Sequence, residues 1–246
     1  MEQPEYRKHF YRQYLKTVGG GYAAATLEDA PRGLRDFFTH IIDAHFPADR
    51  RGKIVELGCG IGLLVHLARK AGFSDVTGVE NSPEIVAEAA RLGIDDIVLD
   101  DAVSRLKTLE PVSLDAVVCI DFIEHLTRDE LVVLATEVHR VLKPGGRWIV
   151  HTVNAEAPFF GRIRYGDLTH EQGFTRSSIR QLALSSDFTE IRCYEDAPIP
   201  GRPAATLRWL MWKIARLPAL FWLVAESGPA ARHAILSQNL LAVAIR

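Results

Sequence analysis

A chain of 246 residues with 48% hydrophobic and 24% charged side chains has ordinary globular composition and is long enough for one α/β domain carrying insertions. Its formal net charge of −2 supplies no general basic footprint, which argues against a dedicated nucleic-acid binder. Cys59, Cys119 and Cys193 are odd in number and lack CxxC spacing, so reduced structural thiols explain them better than a redox role.

The N-terminus, MEQPEYRKHF, is charged and has no apolar core of a signal peptide, so the expected compartment is the cytoplasm, with peripheral membrane contact as a variant. Residues 1–50 read as an N-terminal helical cap. Glu5 to Leu15 carries Tyr6, Phe10, Tyr11 and Tyr14 at amphipathic-helix spacing. That aromatic face either packs on the main domain or forms a flap over a ligand, hinged at Gly19-Gly20-Gly21. A second helix is expected from about Pro31 to His45.

From Lys53 the pattern is strand, turn, helix, repeated. Strands are predicted at Ile54–Leu57, Asp75–Val79, Asp96–Leu99, Ala116–Ile120 and Arg147–Thr152. Helices are predicted between them, at Leu63–Ala71, Pro83–Leu92, Ala102–Leu109 and Arg128–Leu142. Ser82-Pro83 is an N-cap followed by a first-turn proline, and Lys143-Pro144-Gly145-Gly146 is expected to stop the fourth helix and turn the chain into the fifth strand. Such alternation implies a mostly parallel sheet covered by helices on both faces, with ligands held beyond the carboxyl ends of the strands.

The strand ends therefore carry the information. VELGCGIG, Val55 to Gly62, is a buried strand passing through a glycine turn into a helix, the form of a nucleotide-binding element. Its Gly-x-Gly-x-Gly spacing differs from the dinucleotide Gly-x-Gly-x-x-Gly. Glu80 closes the second strand, where a carboxylate can accept from both ribose hydroxyls. Asp100-Asp101-Ala102 closes the third, where an acid can accept from an adenine amino group or cap the next helix. Ile120-Asp121 closes the fourth and runs on into Glu124-His125.

Taken together, VELGCGIG, the acid in TGVENS, DDA, LDAVVCIDFIEHL and RVLKPGGRWIV resemble the class I S-adenosylmethionine-dependent methyltransferases over roughly Lys53 to Thr152. The resemblance implies a Rossmann-like, seven-stranded α/β fold with an antiparallel last strand and substrate-side insertions. S-adenosyl-L-methionine would be the donor and S-adenosyl-L-homocysteine the product. Glu56, Gly58, Cys59 and Gly60 would line its methionine end, and Glu80 its ribose, with Asn81 packing on adenosine. Asp101 and Ala102 would flank adenine, with either Asp100 or Asp101 facing it, and Ile120 and Asp121 would lie near the sulfonium. On this reading 51–153 is the donor-binding core, 154–174 a substrate-side insertion and 175–196 the core's continuation. An apolar helical insertion follows at 197–236, and 237–246 is the last strand of the core.

In the second half, Asn154 to Thr169 is too rich in glycine and aromatics for a long helix. A helix is expected from Thr175 through Leu184, a sixth strand at Glu190–Glu195 and a last strand at Asn239–Ile245. His125 and His170 are candidate bases for methyl transfer to a hydroxyl; the plainer alternative is that they orient local backbone and occupy a surface loop. Asp121, Glu124, His125 and His170 also resemble the divalent-metal set of the small-RNA 2′-O-methyltransferases, although a metal is not the expectation here. Pro203 to Ala225 is apolar but interrupted by Arg208, Lys213, Arg216 and Pro218, too broken to span a bilayer. It reads as a helical pair over the cleft or at a homodimer face, as a membrane-surface helix, or as core.

The expected activity is S-adenosylmethionine-dependent O-methylation of a sugar, glycan or small natural product by direct displacement, with histidine assistance. Arg162, Arg164, Tyr165 and His170 resemble the acceptor region of bacterial methyltransferases of surface-polysaccharide and natural-product pathways. A quinone or lipid O-methyltransferase at the membrane surface, a metal-dependent RNA 2′-O-methyltransferase and a non-enzymatic donor-binding protein are the alternatives.

Overall fold

The computed structural model describes residues 5–11 and 26–246; Tyr14 and Gly19-Gly20-Gly21 lie outside the described residues. A seven-stranded sheet has the order β3-β2-β1-β4-β5-β7-β6. Its strands are β1 (Lys53–Leu57), β2 (Asp75–Glu80), β3 (Ile97–Leu99), β4 (Leu114–Ile120), β5 (Leu142–Val153), β6 (Glu190–Glu195) and β7 (Asn239–Ile245). The first five are parallel, and β7 runs antiparallel between β5 and β6. The helices are α1 (Glu5–Tyr11), α2 (Arg32–His45), α3 (Leu63–Lys70), α4 (Pro83–Arg91), α5 (Ala102–Thr108) and α6 (Arg128–Val141). After β5 come α7 (Phe160–Arg164), α8 (Arg176–Ser185), α9 (Pro203–Ala215) and α10 (Leu217–Ser227).

The central strands read as continuous apolar runs because both faces are covered. Along β1, Ile54 faces α2 and α3, joining Phe38, Ile41, Leu64 and Ala68, while Val55 and Leu57 face the opposite layer with Leu106, Leu131 and Leu134. Full burial of each such side chain is worth about 1.5–3 kcal/mol before the chain's ordering entropy is set against it.

Capping fixes where the helices begin. Ser82 accepts from the Ile85 amide and Asp101 from the Ser104 amide, while Thr127 and Glu130 form a reciprocal capping box at the head of α6. The expected turn at Lys143-Pro144-Gly145-Gly146 differs in detail. Strand β5 starts at Leu142, directly after α6, and the kink falls inside it, with Gly145 at φ +77° and a register shift between Leu114 and Ala116 on β4. The C-terminal residue holds this irregular start: Gly145 donates to the Arg246 carbonyl, and the Arg246 guanidinium donates to the Leu142 carbonyl.

Strand order reverses at β1, whose neighbours β2 and β4 leave in opposite directions. A crevice opens at such a reversal, beyond the carboxyl ends of β1 and β4. That brings the Gly58 turn face to face with Asp121-Phe122: a Cβ on Gly58 would stand 2.5 Å from the Phe122 ring, and Gly58 has φ +70°. Only glycine satisfies both demands.

Candidate functional site

Two cavities lie at the crevice and share three residues, Gly58, Asp121 and His125. The first, of about 310 Å³, runs from the glycine turn past Glu80, Asn81, Asp100, Asp101 and Ala102, with Arg7 and Tyr11 of α1 along its rim. The second, of about 490 Å³, is lined by Glu56, Cys59, Ile120 and Glu124 and by Leu34, Phe38, Arg162, Asp167 and His170.

The first cavity is built mainly by backbone. Gly58 and Cys59 both donate to the Val79 carbonyl, which seats the glycine turn on the end of β2. The Glu80 carboxylate is locked from both sides, accepting from the Gly60 amide at 3.2 Å and the Ser82 amide at 2.9 Å. Burial raises its pKa, and the amides that point at it oppose the rise. Gly60 therefore acts through Glu80 and is not part of either wall. Asp100 accepts from the Asp101 amide, whereas one oxygen of Asp101 is committed to capping α5.

Glu56 differs from its neighbours. It is 3% exposed, and its Oε2 has no hydrogen-bond partner among the described residues. Burial, and then the charge of Glu80, push its carboxyl up to about 8. A buried acid with an empty oxygen aimed at a cleft fits a cationic ligand group such as an α-ammonium. The donor set is therefore consistent with the methionine end of S-adenosylmethionine.

The second cavity is built by side chains. Thr169 donates its hydroxyl to Asp167 at 2.6 Å, and its Oγ1 lies 2.9 Å from Nδ1 of His125. An ionised Asp167 can only accept, so the threonine hydrogen goes to it, and Thr169 must accept from a protonated Nδ1. His125 thus holds its free lone pair on Nε2. Burial, and then the nearby His170, lower its pKa to about 4, so the ring is neutral at working pH. His170 packs edge-on at a ring separation of 4.8 Å and directs Nδ1 to the Ile163 carbonyl at 3.2 Å.

Glu124 is buried beside them, accepting from the Thr152 hydroxyl at 2.8 Å; burial and the charge of Asp121 push it to about 8. Ligand atoms of Glu124, His125 and His170 lie within 4.8 Å of one another. Asp121, the fourth member of the metal set seen in the sequence, turns elsewhere. Its carboxylate, on a residue at φ +48°, takes Nδ1 of His151 at 2.7 Å, and Nε2 of that ring lies 3.3 Å from Asp196. Desolvation of His151 disfavours its charge, but the two flanking carboxylates outweigh this and raise its pKa to about 10. Asp121 is thereby tied to an imidazolium rather than aimed at the histidine pair.

Sequence reasoning brought out His125 and His170, which do converge, and left open a ligand-covering role for the first helix, whose Arg7 and Tyr11 line the first cavity; it missed Asp167, Thr169 and His151. The Asp-x-Thr pattern before His170 was the available signal, since such a spacing lets a threonine bond back to the acid two residues earlier. Arg7 reaches over α6 and the insertion, pairing with Glu130 at 2.9 Å and Glu171 at 3.3 Å. Tyr11, pushed up in pKa by burial, lies 6.4 Å from the His125 ring.

Comparison with known proteins agrees with this architecture. Residues 55–150 match the family described as "Methyltransferase domain". A ubiquinone biosynthesis O-methyltransferase of Xylella fastidiosa (strain 9a5c) is 31% identical over 106 residues, 42% of each chain. A protein of the same name from Xanthomonas oryzae pv. oryzae (strain PXO99A) is 32% identical over 106 residues, 42% of this chain and 43% of that one. The chain therefore spans less than half the length of the curated relatives it matches. Among solved structures, a SAM-dependent methyltransferase from Archaeoglobus fulgidus superposes with a TM-score of 0.64 at 18% identity, covering 87% of this chain and 96% of that one. The geranyl diphosphate C-methyltransferase of Streptomyces coelicolor A3(2) superposes over 100% of both chains, with a TM-score of 0.66 at 16% identity. Residues 55–150 are thus a methyltransferase domain, and the chain has the class I S-adenosylmethionine-dependent methyltransferase fold.

Proposed function

We propose that this chain transfers the methyl group of S-adenosyl-L-methionine to a hydroxyl oxygen, with His125 as general base. The observation that carries the reading is the junction itself: two cavities meet at Gly58, Asp121 and His125, and the imidazole there keeps Nε2 unprotonated. The bound donor supplies an electrophilic methyl carbon.

The chain's own residues would do the rest. Glu56 would meet the ammonium of the donor and Glu80 its ribose hydroxyls, while Asn81, Ala102 and one of Asp100 and Asp101 would flank adenine. The β4 end, Ile120-Asp121, would lie beside the sulfonium. An acceptor hydroxyl in the second cavity would give its proton to Nε2 of His125 as its oxygen attacks, and Asp167, through Thr169, would stabilise the resulting imidazolium. His170 walls the same cavity and would orient the acceptor.

The relatives' names favour a phenolic, quinone-type acceptor over the sugar expected from the insertion. The apolar lining residues Leu34, Phe38 and Ile120 suit a flat ring. A sugar acceptor is the second reading, supported by the polar lining residues Arg162, Asp167 and His170. Methyl transfer from labelled donor to a catechol-type phenol and to candidate glycosides decides between them. His125→Ala should lower kcat about 10²–10⁴-fold while S-adenosylhomocysteine still binds in calorimetry. Full turnover in that variant would remove the base, and absence of homocysteine-product binding in the wild type would remove the donor.

A further inference from the structure

Helices α9 and α10 together contain no buried residue over more than twenty positions, although most of their side chains are apolar. Leu207, Met211 and Ile214 of α9 and Leu217, Phe221 and Trp222 of α10 leave 57–77% of their surface open; from Leu207 to Phe221 they recur at three- and four-residue steps, with Trp222 adjoining. Scattered surface leucines need no explanation, but a continuous apolar stripe marks an interaction surface.

Charge decides what covers it. From Arg202 to Ser227 the hairpin carries four cations and one carboxylate, Glu226 at the far end of α10. Arg202 is paired with Asp36 and Arg216 with Glu195, which leaves Arg208 and Lys213 facing outward, the Lys213 ammonium 5.5 Å over the Trp209 ring. A second copy meeting α9 about a two-fold axis would set Arg208 and Lys213 against their own counterparts, with Glu226 of α10 the single acid of the hairpin to offset four cations. Anionic phospholipid offers the opposite: hydrocarbon for the stripe, headgroup phosphates for the cations and an interfacial zone for the indoles. Among the described residues no helix is long and apolar enough to cross a membrane, which fits an element lying in the surface.

We propose that the α9–α10 hairpin docks this protein on the surface of an anionic bilayer. The inference does not depend on the acceptor assignment, but the two meet in space. Arg202 pins the start of α9, at 2.8 Å, to Asp36 of α2, the helix whose Leu34 and Phe38 line the acceptor-side cavity. The elbow is pinned by Arg216 to Glu195 at the end of β6, at 2.6 Å. A docked hairpin would therefore hold α2, which lines that cavity, close to the lipid, a placement suited to a lipid-borne acceptor.

The test is flotation of the full chain with phosphatidylcholine vesicles, with and without phosphatidylglycerol, alongside light scattering without lipid. The wild type should float with the anionic vesicles, more weakly at high salt, and remain monomeric alone. Phe221→Ser combined with Trp222→Ser should weaken vesicle binding about tenfold or more, and S-adenosylhomocysteine binding should be unchanged because both side chains are exposed. Equal flotation of the double variant, or no flotation of the wild type with anionic vesicles, overturns the proposal. A dimer that the double substitution dissociates would assign the stripe to a second copy instead. Loss of homocysteine-product binding by the wild type would leave the flotation result standing and sink only the methyltransferase reading.

Discussion

The two cavities that meet at His125 are made of different materials. The Glu80 side is a backbone construction: glycine amides, strand-end carbonyls and the acids Glu80, Asp100 and Asp101, all within a few residues of the ends of β1, β2 and β3. The His170 side is a side-chain construction, in which Glu124 and His125 from the β4 end meet Asp167, Thr169 and His170 some forty residues later in the chain. A backbone cradle tolerates changes of neighbouring side chains but not of its own glycines. A side-chain network should respond in the reverse manner, with chemistry lost and binding kept.

The largest effect expected on binding is from Gly58→Ala. It would place a Cβ 2.5 Å from the Phe122 ring on a residue at φ +70°, so the turn must move, taking the Gly58 and Cys59 amides off Val79. We expect a stability loss of about 1–3 kcal/mol and donor affinity reduced more than tenfold, read by denaturant unfolding and by calorimetry with S-adenosylhomocysteine. Gly93→Ala is the control, since φ is +80° there but nothing lies within 4 Å of the added carbon. It carries the backbone strain without the close approach, so stability should fall by about 1 kcal/mol and donor affinity should not change. Equal affinity losses in the two variants would show that strain, rather than the cradle, governs binding.

On the other side, Thr169→Val removes one hydroxyl at constant shape. Asp167 loses a donor and His125 loses what fixes its tautomer, so kcat should fall about tenfold with donor affinity unchanged. The pH profile sharpens the same point. A base must be deprotonated, and His125 is held at about 4 by burial, so the acid limb attributable to it should lie near pH 4 rather than near the usual histidine value. A limb near 6.5 that vanishes in His125→Ala would show that the ring is more hydrated during turnover than its burial implies.

The same contrast explains what was legible in the sequence. The strands, their ends and the helices after them were readable because their signals are local: alternation of apolar runs with glycine turns, an N-cap two residues after Glu80, an acid at the end of each of the first four strands. β6 and β7 fall at the residues expected, Glu190–Glu195 and Asn239–Ile245. What could not be read was which polar side chains finally meet. Asp121 looked equivalent to Glu124 as a neighbour of His125, yet the ring of His151, thirty residues on in β5, captures it. His151 was invisible as a site residue because inside an apolar strand it reads as a tolerated exception. Arg7 and Tyr11 looked like members of an amphipathic face, and only the fold of α1 over the crevice brings them to Glu130 and His125. Local pattern determines the cradle, whereas the network depends on long-range pairing that no single stretch encodes.

The smallest expected effect is also the one that tests the cradle's electrostatics directly. With its folded pKa raised to about 8, Glu56 is protonated near neutrality in the ligand-free protein. A raised acid contributes stability below its unfolded value of 4.5, and that contribution is lost as pH rises through about 8. A cationic group placed against the partnerless Oε2 reverses the balance by favouring the carboxylate. Binding S-adenosylhomocysteine, which carries the same α-ammonium, should therefore release about one proton near pH 7, seen as a heat that varies with the ionisation enthalpy of the buffer. Glu56→Gln keeps the shape, loses the titration and should abolish the buffer dependence, with a loss of affinity well below that of Gly58→Ala. Buffer-independent heats in the wild type would mean that Glu56 is already ionised before the ligand arrives. Burial beside Glu80 would then cost less than the surrounding apolar wall suggests, and the ammonium would have to find its partner elsewhere in the cleft.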